Sequence, residues 1–221
     1  MKELLRPTPF LNFDHPRVKA FVEKHTTGTD TPREKAVQLF YAVRDGIRYN
    51  PYHIDLTVQG MCAGTTLEKG FSWCVGKAVL LSAACRAAGI PARLGFADVR
   101  NHQTPKAVAK VLRTNVFYWH GYSLLLLDGQ WVKATPAFDL PLCEKNGILP
   151  VDFDGKKDAV FHPNDRNGRP HMEYLNNRGV FDDLPLDLIY RTYLQEYKKD
   201  VLDILLSDDH PVKTQLRNME K

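Results

Sequence analysis

Long apolar runs are missing from this 221-residue sequence. No stretch approaches the ~18 residues that a membrane-spanning helix needs. The opening MKELLRPTPFLNFDHPR breaks its hydrophobicity at Arg6, Pro7 and Pro9 and offers no small-residue cleavage site, so it does not read as a signal peptide. The expectation is no membrane association and a cytoplasmic location. Basic runs are equally short: the longest are Lys156-Lys157 and Lys198-Lys199, in a chain of net charge +4. A nucleic-acid binder of this size carries a basic stripe, so no nucleic-acid partner is expected. Cysteine is sparse. Cys62, Cys74, Cys85 and Cys143 form no CxxC pair, which leaves a zinc knuckle or a thioredoxin-like motif without support. In a reducing compartment all four are expected as free thiols. Neither a nucleotide, a flavin nor a metal signature occurs, and no internal repeat, so no cofactor is expected.

What is present is ordinary globular composition, 43% hydrophobic and 25% charged, enough for a real core without staples. A short helix fits Arg17 to His25. Thr31-Pro32-Arg33-Glu34 reads as a capping box, with proline at the first helical position. Ala36, Val37, Phe40, Val43 and Ile47 then recur at helical spacing. Residues 50–72 read as loop. Val75 to Ala88 is apolar on most faces, the mark of a buried helix, and Gly89 with Ile90-Pro91 ends it. Arg93 to Ala97 reads as a strand. Phe117 to Leu127 reads as a longer one, turned by Asp128-Gly129 into a partner strand over Gln130 to Ala134. Beyond Pro141 the chain reads as irregular until helical spacing resumes at Leu186, Ile189, Tyr193, Tyr197, Val201 and Leu205. This order predicts an α+β fold, with an N-terminal segment (1–30), a core (31–140) and a C-terminal extension (141–221) packed on the same domain.

Cys74 stands where a glycine-containing loop enters the buried helix. Free N–H groups and the positive dipole end at that position favour thiolate, and the same N–H groups can hold an oxyanion. A small buried hydrophobe is the competing reading. Cys85 lies eleven residues further along the same helix, roughly 16 Å away, and reads as core. Cys62 and Cys143 read as loop residues without a partner.

His120 lies on the long strand, in a row with Val116, Tyr118, Tyr122, Leu124 and Leu126. A histidine there needs partners for its nitrogens, and a nucleophilic cysteine needs a base, most often histidine. If Leu127 pairs with Gln130, the register sets Thr135 and Asp139 diagonally beside His120. Asp139 can stabilise an imidazolium; Thr135 can orient the ring. Pro136 interrupts the ladder, so Thr135, Asp98 and Asp139 all stay open as the orienting group. His15, His25, His53, His102, His162, His171 and His210 lie in polar stretches and read as exposed. The segment His171-Met172-Glu173-Tyr174 has the alternative of folding over the cleft. Trp73 and Trp119 flank the candidate residues and read as core.

The segments GFSWCVGKAVLLSAACRAAGIPARLGF and HGYSLLLLDGQWVKATPAFD resemble the transglutaminase-like superfamily in its small bacterial branch. TPREKAVQLFYAVRDGIRYN resembles the helix that precedes that family's active site. The resemblance covers residues 31–140 and implies a papain-like Cys-His-Asp site, with Cys74 as nucleophile and His120 as base and acid; the hairpin register proposes Asp139 as the third member. The pattern departs where the family has an acid in Trp-x-x-x-Asp-Pro; Thr135 stands there in this chain. The implied activity is that of a cysteine peptidase or amidase, or of an acyltransferase, acting on a peptide or small amide substrate through a thioester. The competing expectations are a catalytically silent domain that only binds, favoured by the missing acid, and a metal site at Cys74 and His120, which lacks further ligands.

Overall fold

The computed structural model describes residues 2–197 and 199–206. A 3-10 turn (Lys2–Leu5) leads into α1 (Pro16–Thr26) and α2 (Pro32–Gly46). The capping box is complete: the Thr31 hydroxyl accepts from the Glu34 N–H, and the Glu34 carboxylate accepts from the Thr31 N–H. β1 (Arg48–Tyr49) follows, then α3 (Val58–Met61), α4 (Ala63–Lys69) and β2 (Phe71–Ser72). The stretch expected to be loop is therefore half helical. Thr57 caps α3 through its side chain, and Gly70, at φ 68°, ends α4 in the left-handed region that glycine favours.

α5 (Cys74–Ala87) is the centre of the molecule: all but its final residue are buried. Against it lies a four-stranded antiparallel sheet of order β5-β4-β3-β6, built from β3 (Ala92–Asn101), β4 (Val116–Leu127), β5 (Gln130–Ala134) and β6 (Met172–Phe181). α6 (Lys106–Leu112) lies between β3 and β4, and α7 (Leu140–Asn146) follows β5. α8 (Leu186–Glu196) and α9 (Lys199–Leu206) close the described chain, broken at Tyr197, which adopts extended backbone. The single C-terminal helical stripe is thus two helices. His210 lies outside the described residues.

The architecture is α+β, as the order of elements predicts. The Asp128-Gly129 turn has φ 48° and 82°, the left-handed pair that a two-residue hairpin needs, and Leu127 pairs with Gln130. Between α5 and β4 the core holds one polar stitch. The Ser82 hydroxyl donates to Ser123 Oγ at 2.9 Å, and Ser123 donates to the Ala78 carbonyl at 3.0 Å. β6 was not expected. Its residues from Glu173 to Asn177 are exposed, so the alternation that marks a half-buried strand is absent, and it forms by pairing with β3 at the sheet edge.

A β-bulge corrects the reading of β4. Ala97 pairs with His120 and Val99 with Phe117, so two steps on β3 match three on β4. The side chains reverse face across the extra residue. Phe117 shares the His120 face, and Val116 does not. Trp119 sits within the bulge at φ 59°, rare for a bulky residue. Its N–H donates to Asp98 Oδ1 at 3.2 Å, and the Asp98 carboxylate is clamped by Arg178 at 2.7–2.9 Å. That anchored kink sets the direction of the next residue, His120.

Candidate active site

Cys74 is the first residue of α5. The cap residue Trp73 gives no side-chain hydrogen bond, so the first-turn N–H groups are left without a side-chain acceptor there. The helix start is held against β4 at Gly121, where an added Cβ would lie 3.0 Å from Val75 Cα. That approach brings the Gly121 N–H to the Cys74 sulfur. Burial pushes the thiol up to about 11; the Gly121, Val75 and Cys74 N–H groups oppose that shift and do not reverse it. Burial therefore works against the thiolate that the helix terminus favours. Desolvation outweighs the dipole because Cys74 is only 9% exposed.

His120 is buried, with its ring 4.5 Å from Phe161 and 6.1 Å from Tyr174, centroid to centroid. Its Nε2 has no hydrogen-bond partner. Burial holds the imidazole down at about 3. Burial thus disfavours both the thiolate and the imidazolium. Cys74 and His120 line one cavity of about 270 Å³, together with Trp73, Tyr118, Phe161 and His171. The structure brings the two residues to one cleft, and no hydrogen bond joins them.

Asp139 is not brought to His120. The hairpin ladder ends at Ser123–Ala134; Thr135 then donates its N–H to Ala159, so the register that would carry Asp139 to the histidine stops short. Asp139 instead caps α7, its Oδ1 accepting from the Leu142 N–H at 3.0 Å and its Oδ2 from the Tyr49 N–H at 2.6 Å. The carboxylate ties α7 to β1. Asp98 is committed to Trp119 and Arg178 as described above. The Thr135 hydroxyl is buried without a partner. No described carboxylate bonds the His120 ring.

One residue of this region escaped the sequence reading, and another was read as exposed by default. Lys77, one turn past Cys74, is fully buried, and its Nζ donates to the carbonyls of Arg44 and Ile47 at 2.8 and 2.5 Å. It closes the C-terminal end of α2. Burial lowers it to about 7, against the pull of the Asp139 and Asp45 charges. The signal was available: Lys77 is the lone charge between Cys74 and Cys85. His171, read as exposed, is 1% exposed, and both ring nitrogens lack partners. Its segment does fold over the cleft: His171 and Met172 line the cavity. Trp73 lines it as well, whereas Trp119 packs on Phe96 and Phe181. Cys85 is core, as read, but Cys143 is buried on α7 rather than in a loop. All four cysteines are free. Among the described residues no three His, Cys, Asp or Glu side chains gather as a metal site, and no helix is long and apolar enough to cross a membrane.

Comparison with known proteins adds the family. Among solved structures, a protein provisionally named a cysteine protease from Cytophaga hutchinsonii is 16% identical, at a TM-score of 0.47, over 80% of this chain and 53% of its own. A provisionally named protease from Parabacteroides distasonis is also 16% identical, at a TM-score of 0.39, over 61% of this chain and 24% of its own. The chain thus spans about half the length of the first and a quarter of the second. No curated protein matches. The model of the transglutaminase-like superfamily matches residues 19–136, more than half of the sequence, from within α1 through Cys74 and His120, and the chain belongs to that superfamily.

Proposed function

We propose that this protein is a thiol-dependent hydrolase of amide or related acyl bonds, a cysteine peptidase or amidase, with Cys74 as nucleophile and His120 as base and acid. One observation carries the reading: Cys74, at a helix start without a side-chain cap, and His120, with an unpartnered ring nitrogen, face the same cavity. With burial disfavouring both charged forms, the thiol proton passes to His120 as the sulfur attacks. The sulfur bonds to the carbonyl carbon, and the carbonyl electron pair moves to oxygen, next to the N–H groups of the helix start. The C–N bond then breaks, and the imidazolium gives its proton to the departing amine. Water, deprotonated by His120, attacks the resulting thioester. The acid leaves and the thiol is restored. An amine in place of water gives acyl transfer by the same route.

The test is turnover of a mixed peptide-amide library by wild type, Cys74→Ala and His120→Ala. Product formation is expected in wild type and in neither variant. Equal turnover in Cys74→Ala overturns the assignment. The silent-domain reading has its own support, the burial that disfavours both charged forms and the absence of a carboxylate on His120. It predicts no turnover by wild type, and iodoacetamide reactivity of Cys74 that no bound amide increases.

A further inference from the structure

His171 is an unusual residue to find inside a cavity wall. Its backbone is pinned on both sides: its N–H donates to the Pro163 carbonyl at 2.8 Å, and its carbonyl accepts from the His102 N–H at 2.8 Å. The side chain is 1% exposed, yet neither nitrogen is satisfied. An orphaned buried polar group is costly to keep. A fold that keeps such a ring at a fixed place in a cavity leaves a donor and an acceptor for something that enters.

The surroundings say what enters. Two phenylalanines separate His171 from His120: centroids run 4.5 Å from His120 to Phe161, 4.6 Å from Phe161 to Phe138, and 6.2 Å from Phe138 to His171. The two imidazoles thus sit at the ends of a row of four rings. No described residue lining the cavity is Asp, Glu, Lys or Arg. The Asp165 carboxylate that acts on His171 is itself paired with Arg169, so an ionised ligand would find no free counter-charge on the lining. Val108, Val111, Leu112, Phe117 and Met172 supply apolar wall. The cavity of about 270 Å³ is large enough to admit a bulky side chain with its amide.

We infer that the cavity selects an uncharged amide substrate bearing a large apolar side chain, and that His171 holds a second amide group of that substrate through one of its free ring nitrogens. This specificity rests on the amide-hydrolase reading and extends it to a substrate class. Neutral imidazole has one donor and one acceptor, so it pairs with either an amide C=O or an amide N–H. Burial lowers the His171 pKa, which keeps the ring in that form.

The test is equilibrium binding to Cys74→Ser, which separates recognition from chemistry. The probes are N-acetyl-phenylalaninamide, N-acetyl-leucinamide, N-acetyl-lysinamide and N-acetyl-glutamic acid α-amide, measured by calorimetry. The two neutral amides are expected to bind at least tenfold tighter than the two charged ones. In the same background His171→Leu is expected to weaken N-acetyl-phenylalaninamide at least tenfold without lowering the melting temperature, since it removes an unsatisfied group. His171→Gln, which keeps a donor and an acceptor, is expected to recover part of the loss. Equal or tighter binding of the charged amides overturns the inference. So does a His171→Leu protein that melts lower and binds unchanged, which makes the ring structural. Should His171→Leu not fold, the neutral-to-charged ratio in the parent decides alone. Selective binding without turnover by the wild-type chain removes the hydrolase reading and keeps the pocket; turnover indifferent to charge does the reverse.

Discussion

Gly121→Ala tests the geometry on which the site depends. Gly121 follows His120 on β4 and lies where the strand meets the first turn of α5. A Cβ placed there sits 3.0 Å from Val75 Cα, 3.3 Å from Val75 Cγ2 and 3.4 Å from Phe96 Cε1. Carbon atoms prefer about 3.5–4.0 Å, and the nearest atom is backbone, so strand and helix must part by about 0.5 Å. Overpacking of this kind costs about 1–3 kcal/mol. At roughly 3 °C per kcal/mol for a chain of this size, the melting temperature falls by about 3–9 °C. The Gly121 N–H retreats from the Cys74 sulfur at the same time. That N–H favours the thiolate, so its retreat slows Cys74 alkylation. Calorimetric melting and the rate of Cys74 alkylation, read by mass spectrometry, measure both effects. Gly46→Ala is the control: it ends α2 with nothing within 4 Å of its added Cβ. It should hold or raise the melting temperature. A Gly121→Ala protein with wild-type melting and wild-type Cys74 reactivity would refute the close-approach argument.

Other expectations concern the groups around the pair. Lys77→Met leaves the Arg44 and Ile47 carbonyls at the end of α2 unsatisfied, and a loss of about 2–4 kcal/mol is expected in urea unfolding. Asp139→Ala removes the α7 cap and the tie to Tyr49, costing about 1–2 kcal/mol; if Asp139 does not serve His120, turnover per folded molecule changes little, and a loss of a thousandfold would restore it to the triad. His120 stays neutral in the folded chain down to about pH 3, whereas an ordinary histidine protonates near 6.5. The unfolded chain therefore takes up a proton that the folded chain refuses between those values, and stability falls as pH drops through that window. His120→Gln should show a shallower fall in urea midpoint between pH 6 and pH 4. The raised Cys74 thiol predicts an alkylation rate that climbs toward pH 11 in the ligand-free protein; a plateau reached below pH 6 would mean a preformed ion pair.

How much of this was legible depends on the range of the interaction. The capping box, the Asp128-Gly129 turn, the apolar helix after Cys74 and the stop at Gly89 are local: a few neighbouring residues fix φ and ψ and complete the hydrogen bonds. The family pattern adds Cys74 and His120, which share a cavity although 46 residues separate them. The bulge at Trp119 was not legible. It is set by Asp98 on the neighbouring strand and by Arg178 beyond it. Nor was β6, an exposed edge whose hydrogen bonds come from β3. Asp139 shows the limit of register arithmetic, since one hydrogen bond from Thr135 to Ala159 takes the chain out of the ladder.

By itself, then, the sequence determined the helix that carries Cys74, the hairpin that carries His120, and the α+β order, because capping, periodicity and turn chemistry act over a few residues. Only the tertiary structure decided the charge state of the pair, the employment of Asp139 and the burial of His171. Desolvation and hydrogen-bond partnership depend on which distant segments come to lie around a group, and no local pattern encodes that.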